Sequence, residues 1–310
     1  MRLVFFGTPD FAIPSLRALL EEGFDVAAVV TQPDRPHGRS RSVLHPPPVK
    51  QEAAAEGLPV LQPDQPNAPE FLEMLRPLAA DLGIVVAYGH ILKPALLALP
   101  HRGMINVHAS LLPALRGAAP IQHAVMQGLE ETGITIMQME AGMDTGPVLH
   151  RVPTPIATDE TGGELEVRLA ELGALALIEA LTLLDAEAIV PQPQDPRLAT
   201  YAPKITTETA QIRWETPAPA LARLVRALDP RPGAWTALGD RRIKLFGPRY
   251  AGCPPAGTAA GTILEVDPAL VVATGDGALQ FLDVQPEGKA RLAAADWLRG
   301  RGARVGDRFS

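Results

Sequence analysis

The composition of the chain excludes several classes of protein before any motif is considered. The 310 residues are 46% hydrophobic and 20% charged, a length and composition that predict two domains with buried cores. The single cysteine, Cys253, excludes an internal disulfide and a thiolate metal cluster, and because no apolar stretch reaches the roughly 20 residues of a membrane helix, we expect a soluble cytoplasmic protein.

Charge is divided unevenly along the chain. The whole chain carries a net charge of −7, yet residues 207–310 carry +3 and residues 1–206 carry −10. A positive segment in an otherwise negative protein favours contact with a polyanion at that segment. The asymmetry is modest, so it supports a nucleic-acid partner only together with other features.

The N-terminal part alternates short apolar runs with amphipathic segments. Residues 2–6 predict a buried strand, the turn after Gly7 leads into a helix over 11–22, and residues 26–31 predict a second strand. This order opens a doubly wound, mostly parallel α/β sheet. A nicotinamide-binding enzyme would carry Gly-x-Gly-x-x-Gly at this turn, and only Gly7 is present, which argues against that class.

A long loop over residues 32–48 follows the second strand. It contains Arg35, Arg39 and Arg41 together with several prolines. Long loops in folded domains are usually functional or mobile. Two interpretations stay open here, a solvated surface loop and a basic arm that closes over a phosphate-bearing substrate.

The rest of the first half continues the α/β pattern. Apolar periodicity predicts helices over 49–56, 69–76, 120–127 and 163–185 and strands over 59–62, 81–87, 134–139 and 148–152. Open α/β sheets bind ligands beyond the carboxyl ends of their strands. The turn that contains Tyr88 and the loop after His108 should therefore line one crevice.

Three polar residues form a candidate catalytic site near that crevice. Asn106 and His108 lie two residues apart on a strand-like run, so their side chains should share a face. Asp144 lies between two glycines on a tight loop, where backbone and substrate can approach closely. An amide donor, an imidazole and a carboxylate are the groups needed for acyl transfer to an amine. No zinc signature is present, and we expect no metal.

The motifs around these residues resemble those of the formyltransferases that use 10-formyltetrahydrofolate. The resemblance covers nearly the whole chain, and within that family the motifs are most similar to those of the enzymes that formylate a charged tRNA. It is carried by the runs GTPDF (7–11), NVHASLLP (106–113), RGAAPIQ (116–122), TGITIMQM (132–139), GMDTG (142–146) and, more thinly, ATGDG (273–277).

The resemblance implies a complete reaction. The formyl group of 10-formyltetrahydrofolate, a co-substrate, would pass to the α-amino group of methionyl initiator tRNA, with Asn106 stabilising the oxyanion, His108 taking the amine proton and Asp144 orienting His108. It further implies that the folate is held by Ser110, Leu111, Leu112, Pro113 and the turn at Tyr88.

The C-terminal part has a different pattern. Three prolines within 189–196 predict an extended linker, and a helix over 219–228 precedes short strands over 234–238, 242–246, 262–265, 270–273 and 278–281, which suggest a small barrel. The resemblance implies a Rossmann-like formyltransferase domain over 1–188, a linker over 189–206 and an OB-like tRNA-binding barrel over 207–310, in a chain that we expect to be a monomer. The candidate tRNA contacts are Arg35, Arg39, Arg41, Arg223, Arg226, Arg241, Arg242 and Lys244.

Related enzymes are the main alternatives. A glycinamide ribonucleotide transformylase shares the three catalytic residues but usually lacks a second domain. A formyltetrahydrofolate hydrolase and a sugar-nucleotide formyltransferase are not excluded by the three residues alone. A noncatalytic tRNA-binding module on the same scaffold is the alternative from a different class, and the presence of Asn106, His108 and Asp144 argues against it.

Overall fold

The computed structural model describes residues 1–36 and 44–310, and the contacts of the chain divide it into two units. The first unit comprises Met1–Gly117, Glu131–Pro155 and Glu166–Ala202, and the second comprises Ala118–Glu130, Ile156–Leu165 and Pro203–Ser310. Short segments from the first half of the chain thus belong to the second unit. The units interleave along the chain, whereas the sequence predicted three consecutive segments.

Most strands and helices up to residue 198 lie close to their predicted positions, but the short elements at Arg35–Pro36, Leu44–His45 and Pro94–Leu97 were not predicted. The strands are β1 (Arg2–Gly7), β2 (Asp25–Val30), β3 (Arg35–Pro36), β4 (Leu44–His45), β5 (Val60–Leu61), β6 (Leu82–Val86), β7 (Met104–His108), β8 (Glu131–Gln138) and β9 (Val148–Pro155). The helices are α1 (Ile13–Glu21), α2 (Pro48–Ala55), α3 (Pro69–Leu75), α4 (Pro94–Leu97), α5 (Pro120–Gln127) and α6 (Gly162–Asp185), with short 3₁₀ turns at Asp10–Ala12, Arg76–Leu78 and Pro196–Leu198.

Seven strands form one sheet in the first unit, in the order β5-β2-β1-β6-β7-β8-β9. The pairs from β5 to β7 are parallel, and β8 and β9 are antiparallel to their neighbours. Strand β6 is buried along its whole length, as expected for a sheet with both faces covered. The predicted doubly wound, mostly parallel fold is therefore confirmed.

The two faces of this sheet pack against different helices. Val4, Phe6 and Val85 form one apolar cluster with the buried side chains of α3 and α4. Helix α6 lies close to β7 and β8, because a side chain at Gly173 would meet Val107 and Ile134. Since side chains alternate along a strand, Asn106 and His108 point away from the face that Val107 presents to α6.

The base of the 32–48 loop is ordered. Strands β3 and β4 pair antiparallel with Arg35 opposite His45, and both carboxylate oxygens of Asp34 accept hydrogen bonds from Lys50 Nζ at 2.8 Å. This segment was predicted as a loop throughout. Arg39 and Arg41, two of the candidate tRNA contacts, lie outside the described residues.

The second unit is built on an antiparallel sheet. Its later elements are α7 (Ala218–Ala227), β10 (Trp235–Leu238), β11 (Arg241–Tyr250), β12 (Ile263–Glu265), β13 (Leu270–Ala273), β14 (Ala278–Pro286), β15 (Leu292–Ala293) and α8 (Ala294–Arg299). The strand order is β10-β11-β14-β13-β12, with β15 on β14. Strands β11 and β14 pair from Ile243 to Tyr250, so they run well past their predicted ends at residues 246 and 281.

The last residues of the chain close this sheet into a barrel. Phe309 N donates to Gly261 O at 2.9 Å beside β12, and Ser310 and Ala237 of β10 exchange two backbone hydrogen bonds of 3.0 Å. Both edge strands are therefore paired through one short segment. The predicted small antiparallel barrel is confirmed, and its closing segment was not predicted.

Replacing Phe309 by alanine should destabilise the barrel by about 3–5 kcal/mol. The Phe309 ring is 2% exposed and stacks on Trp214 with ring centroids 5.7 Å apart, so the change leaves a cavity at the barrel seam. Val305→Ala is the control, because Val305 is 62% exposed. Urea unfolding of both variants measures the effect, and equal free energies of unfolding would show that the seam is not part of the core.

Candidate active site

The candidate site forms where β7 ends. Asn106 is partly exposed and His108 is only 5% exposed, although both belong to the same face of the strand. Thr135 of β8 lies directly opposite His108 in the antiparallel pair. The amide of Asn106 is thus open to a ligand. A ligand can contact His108 only through the small exposed part of its side chain.

One ring nitrogen of His108 is fixed by the backbone. His108 Nε2 lies 3.1 Å from Leu115 O, and since a carbonyl oxygen only accepts, Nε2 carries the hydrogen. In the neutral ring Nδ1 is therefore the unprotonated nitrogen. Burial lowers the pKa of His108, and this effect exceeds the opposing influences of the Asp144 carboxylate and the bond to Leu115 O. His108 is accordingly neutral at pH 7 and Nδ1 can take a proton.

Asp144 approaches His108 without a direct hydrogen bond. Its Oδ2 lies 3.8 Å from His108 Nδ1 and accepts a 2.7 Å hydrogen bond from Gly117 N. A separation of 3.8 Å is too long for a hydrogen bond, so Leu115 O rather than Asp144 orients the ring. The carboxylate instead lies where it would stabilise a positive charge on Nδ1.

The loop that carries Asp144 depends on its glycines. Asp144 itself has φ 52°, a left-handed conformation uncommon for residues with a side chain. A Cβ atom at Gly146 would clash with the carbonyl oxygen of Gln138. The glycine is needed for this close approach to the Gln138 backbone.

The predicted folate-binding loop is held by hydrogen bonds to the side chain of a threonine. Thr135 Oγ1 donates to Ser110 O at 2.6 Å and accepts from Leu112 N at 3.1 Å. The side chains of Ser110 and Leu112 are buried, whereas Leu111 and Pro113 are partly exposed. Leu111 and Pro113 are therefore the side chains of this loop that a ligand can reach.

The turn at Tyr88 keeps Tyr88 itself buried. The Tyr88 side chain is buried, packs edge-on against Phe6 and has its pKa raised to about 12 by burial. Its carbonyl oxygen accepts hydrogen bonds from Thr8 Oγ1 at 2.9 Å and from Gln32 Nε2 at 3.0 Å. Tyr88 as a whole is only 1% exposed, so a ligand at this turn would contact its exposed neighbours Ala87 and Gly89.

Replacing Thr135 by valine should lower the free energy of unfolding by about 1–3 kcal/mol, because Ser110 O and Leu112 N lose their buried partner. Thr132→Val on the same strand is a matched control. Thr132 is 2% exposed, and its Oγ1 has no hydrogen-bond partner among the described residues. Removing that hydroxyl should therefore leave the free energy of unfolding unchanged or raise it. Chemical denaturation compares the two, and an equal response would mean that Thr135 does not hold the loop.

The basic side chains predicted to contact tRNA in the second unit differ in exposure and in how many hydrogen bonds they make within the protein. Arg223 Nε donates to Met126 O at 3.2 Å, and Arg226 Nη1 donates to Glu160 O at 3.0 Å. Three others lie at the start of β11, where Arg241 and Arg242 are exposed and Lys244 is partly exposed. Arg241 Nη2 donates to Gly302 O at 3.5 Å, and the Arg242 guanidinium lies 4.0 Å from the Trp235 ring centroid. In the first unit, Arg35 is exposed on β3.

Several residues of the site carried no signal in the sequence. Leu115 and Gly117 act through backbone atoms, and Thr135 acts from inside a strand. The hydrogen-bonding roles of Leu115 O and Gly117 N leave no compositional trace, although position 117 itself requires glycine because of its φ of 123° and its close approach to Ala202 O. Within residues 1–36 and 44–310 there is no group of three or more His, Cys, Asp or Glu side chains able to hold a metal ion, and no helix long and apolar enough to cross a bilayer.

Two family models match the chain and define its class. A model described as formyl transferase matches residues 1–181, and a model described as formyl transferase, C-terminal domain, matches residues 204–302. The chain therefore belongs to the formyl transferase family.

Individual relatives narrow this class. The chain is 51% identical over 307 residues to the methionyl-tRNA formyltransferase of Acidithiobacillus ferrooxidans, covering 99% of this chain and 97% of the relative. It is 48% identical over 310 residues to the enzyme of the same name from Thiobacillus denitrificans, covering 100% and 99%. Identity at this level over the full length places it in the methionyl-tRNA formyltransferase family.

A solved structure supports the fold. HypX from Aquifex aeolicus in complex with tetrahydrofolic acid matches with a TM-score of 0.66 and 19% identity, covering 99% of this chain and 48% of HypX. The chain thus spans about half the length of that protein, and the likeness concerns the fold alone.

Proposed function

We propose that this chain transfers the formyl group of 10-formyltetrahydrofolate to the α-amino group of methionyl initiator tRNA, acting as a monomer in the cytoplasm. The full-length relatives named methionyl-tRNA formyltransferase support this acceptor. The observation that carries the proposal is the geometry of His108, whose Nδ1 is left to accept a proton 3.8 Å from the Asp144 carboxylate.

The reaction joins an amine to a formyl carbon. The α-amino nitrogen of the methionyl group attacks that carbon, the carbonyl π-electrons move to oxygen, and a tetrahedral intermediate forms. The amine loses a proton, and the bond between the formyl carbon and the folate nitrogen breaks as that nitrogen gains a proton. No covalent acyl-enzyme is required, and the Ser110 hydroxyl already donates a hydrogen bond to Ala114 O at 2.6 Å.

Each residue of the site has one role in this reaction. The partly exposed amide of Asn106 donates to the developing oxyanion, which gains most from a donor placed in advance. Nδ1 of His108 takes the amine proton, because burial keeps the ring neutral beforehand. Asp144 stabilises the imidazolium that results and supports return of the proton to the leaving nitrogen.

Binding is divided between two parts of the chain. We assign the folate to the Ser110–Leu111–Leu112–Pro113 loop and to the turn at Tyr88, where Ala87 and Gly89 are exposed, within a domain spanning 1–188. After a linker over 189–206, the domain spanning 207–310 holds the tRNA. Arg241 and Arg242 at the start of β11 are the best placed to contact phosphates, since both side chains are exposed to solvent, and the partly exposed Lys244, Arg223 and Arg226 are assigned to the same partner. Arg35, Arg39 and Arg41 are assigned to the same partner.

The test is formylation with defined substrates. The purified chain is incubated with 10-formyltetrahydrofolate and methionyl initiator tRNA, and N-formylmethionine and free formate are both measured. Formate without N-formylmethionine would indicate a hydrolase, and formylation of an amino-sugar nucleotide in place of the tRNA would indicate a sugar-modifying enzyme. Either result would overturn the proposed acceptor.

A further inference from the structure

A buried arginine lies beside the site without taking part in the chemistry above. Arg116 is 5% exposed, and its Nε and Nη2 both donate to Gln194 Oε1, at 3.1 Å and 2.7 Å. Arginine is rarely buried unless its donors are satisfied. Gln194 supplies this acceptor from the segment that the sequence predicted as a linker.

The other end of the same amide holds the Asp144 loop. Gln194 Nε2 donates to Asp144 O at 2.8 Å and to Gly146 O at 2.7 Å. One side chain thus joins Arg116 to the two residues that flank the turn of this loop. Only an amide carries an acceptor and a two-hydrogen donor at adjacent positions, so the arrangement is specific for glutamine or asparagine.

Backbone hydrogen bonds fasten the following segment to the loop after His108. Leu115 N donates to Thr200 Oγ1 at 2.8 Å, and Arg116 N donates to Thr200 O at 2.9 Å. Leu115 O fixes the His108 ring, and Gly117 N binds the Asp144 carboxylate. The loop over residues 115–117 is therefore the common support of both groups, and Gln194 connects it to the Asp144 loop.

We propose that Gln194 is a positioning residue that sets the distance between the Asp144 carboxylate and His108. The proposal rests on the proposed function, because the distance matters only if these groups share a proton-transfer step. Gln194 acts through the backbone at Asp144 and Gly146 rather than on substrate. A displacement of about 1 Å at a reacting group can cost 10²-fold in rate.

The sharpest variant is Gln194→Glu. Glutamate keeps an acceptor for Arg116 and adds a favourable charge there, so folding should be retained. It replaces the donor end by an oxygen that faces the carbonyl oxygens of Asp144 and Gly146 and repels them. The matched control is Gln192→Glu, which makes the same charge change two residues away on an exposed side chain.

The expected result is a fall in kcat for Gln194→Glu of up to about 10²-fold, with a much smaller change in KM for the folate. Gln192→Glu should retain the parental kcat. In an Asp144→Asn background Gln194→Glu should add little further loss, because it acts through Asp144. Equal kcat values for the two glutamate variants, or losses that multiply in the double variant, would overturn the proposal.

A readout independent of catalysis separates this proposal from the proposed function. Gly117 N donates to Asp144 Oδ2, so its hydrogen exchange should be slow in the parental chain and in Gln192→Glu and fast in Gln194→Glu. Persistent protection in Gln194→Glu would show that Gln194 does not hold the Asp144 loop, even if formylation is normal. If Gln194→Glu loses this protection and the parental chain itself formylates no tRNA, the proposed function is refuted and the positioning role is left intact.

Discussion

Replacing His108 by alanine should lower kcat for formyl transfer by about 10²–10⁴-fold, the range expected for loss of a general base. Nδ1 is the nitrogen left unprotonated by the bond from Nε2 to Leu115 O, and alanine offers no substitute. His123→Ala is the control, because His123 lies on α5 in the second unit, where its Nε2 is 3.0 Å from Pro203 O, and has no part in the chemistry. Steady-state formylation measures both.

The pH dependence follows from the same residue. Burial lowers the pKa of His108 below its ordinary value of about 6.5, so the neutral, proton-accepting ring prevails above that value. We expect kcat to be insensitive to His108 ionisation above about pH 6.5 and to fall at lower pH as the ring becomes protonated. His108→Ala should lack this acidic limb. An unchanged limb in His108→Ala would assign the ionisation to another group, and near-normal turnover would remove His108 from the mechanism.

Replacing Asn106 by alanine should lower kcat by about 10²–10³-fold, as for loss of one oxyanion donor. The amide is partly exposed at the end of β7 and two residues from His108. Asn106→Asp keeps the size and replaces the donor by an acceptor, so it should be impaired at least as strongly. Folding should persist in both, since the side chain is not part of the apolar core.

Single-turnover kinetics check this prediction because they isolate the chemical step. With saturating folate and tRNA, the rate constant should fall in both Asn106 variants while substrate binding changes little. If the rate constant falls for Asn106→Ala but not for Asn106→Asp, the side chain contributes by packing and not as a donor.

The sequence predicted the positions of Asn106, His108 and Asp144 better than it predicted the groups that hold their side chains. Alternation over 104–108 placed Asn106 and His108 on one face, and the glycines around Asp144 marked a tight loop, because both features follow from local backbone geometry. The bond from His108 to Leu115 O and the bond from Gly117 N to Asp144 were not predictable. Both bonds use main-chain atoms, whose hydrogen-bonding role is not marked by a residue type.

The barrel shows the same limit. Turn residues correctly separated the strands of the second unit, yet Gly247 and Pro248 suggested an end to β11 that does not occur. Pairing with β14 carries the strand through both residues, so tertiary hydrogen bonding overrides the local preference. Closure by residues 309 and 310 depends on contacts with β10 and β12 that lie far away in sequence.

The predicted linker shows a third limit of the sequence. Three prolines over 189–196 predicted an extended connection between domains. Extended chain is present, but Gln194 within it joins Arg116 to the Asp144 loop. A polar residue in a proline-rich segment is typical of solvated surface. Its hydrogen-bond partners are known only once the fold is known.

The single-turnover rate of N-formylmethionyl-tRNA formation tests the central claim most directly when it is measured for the triple variant Asn106→Ala, His108→Ala, Asp144→Ala. Because the three groups act on one step, the triple variant should lose little more than His108→Ala alone, at least about 10²-fold below the parental chain. A triple variant that keeps parental turnover would place the chemistry elsewhere in the protein.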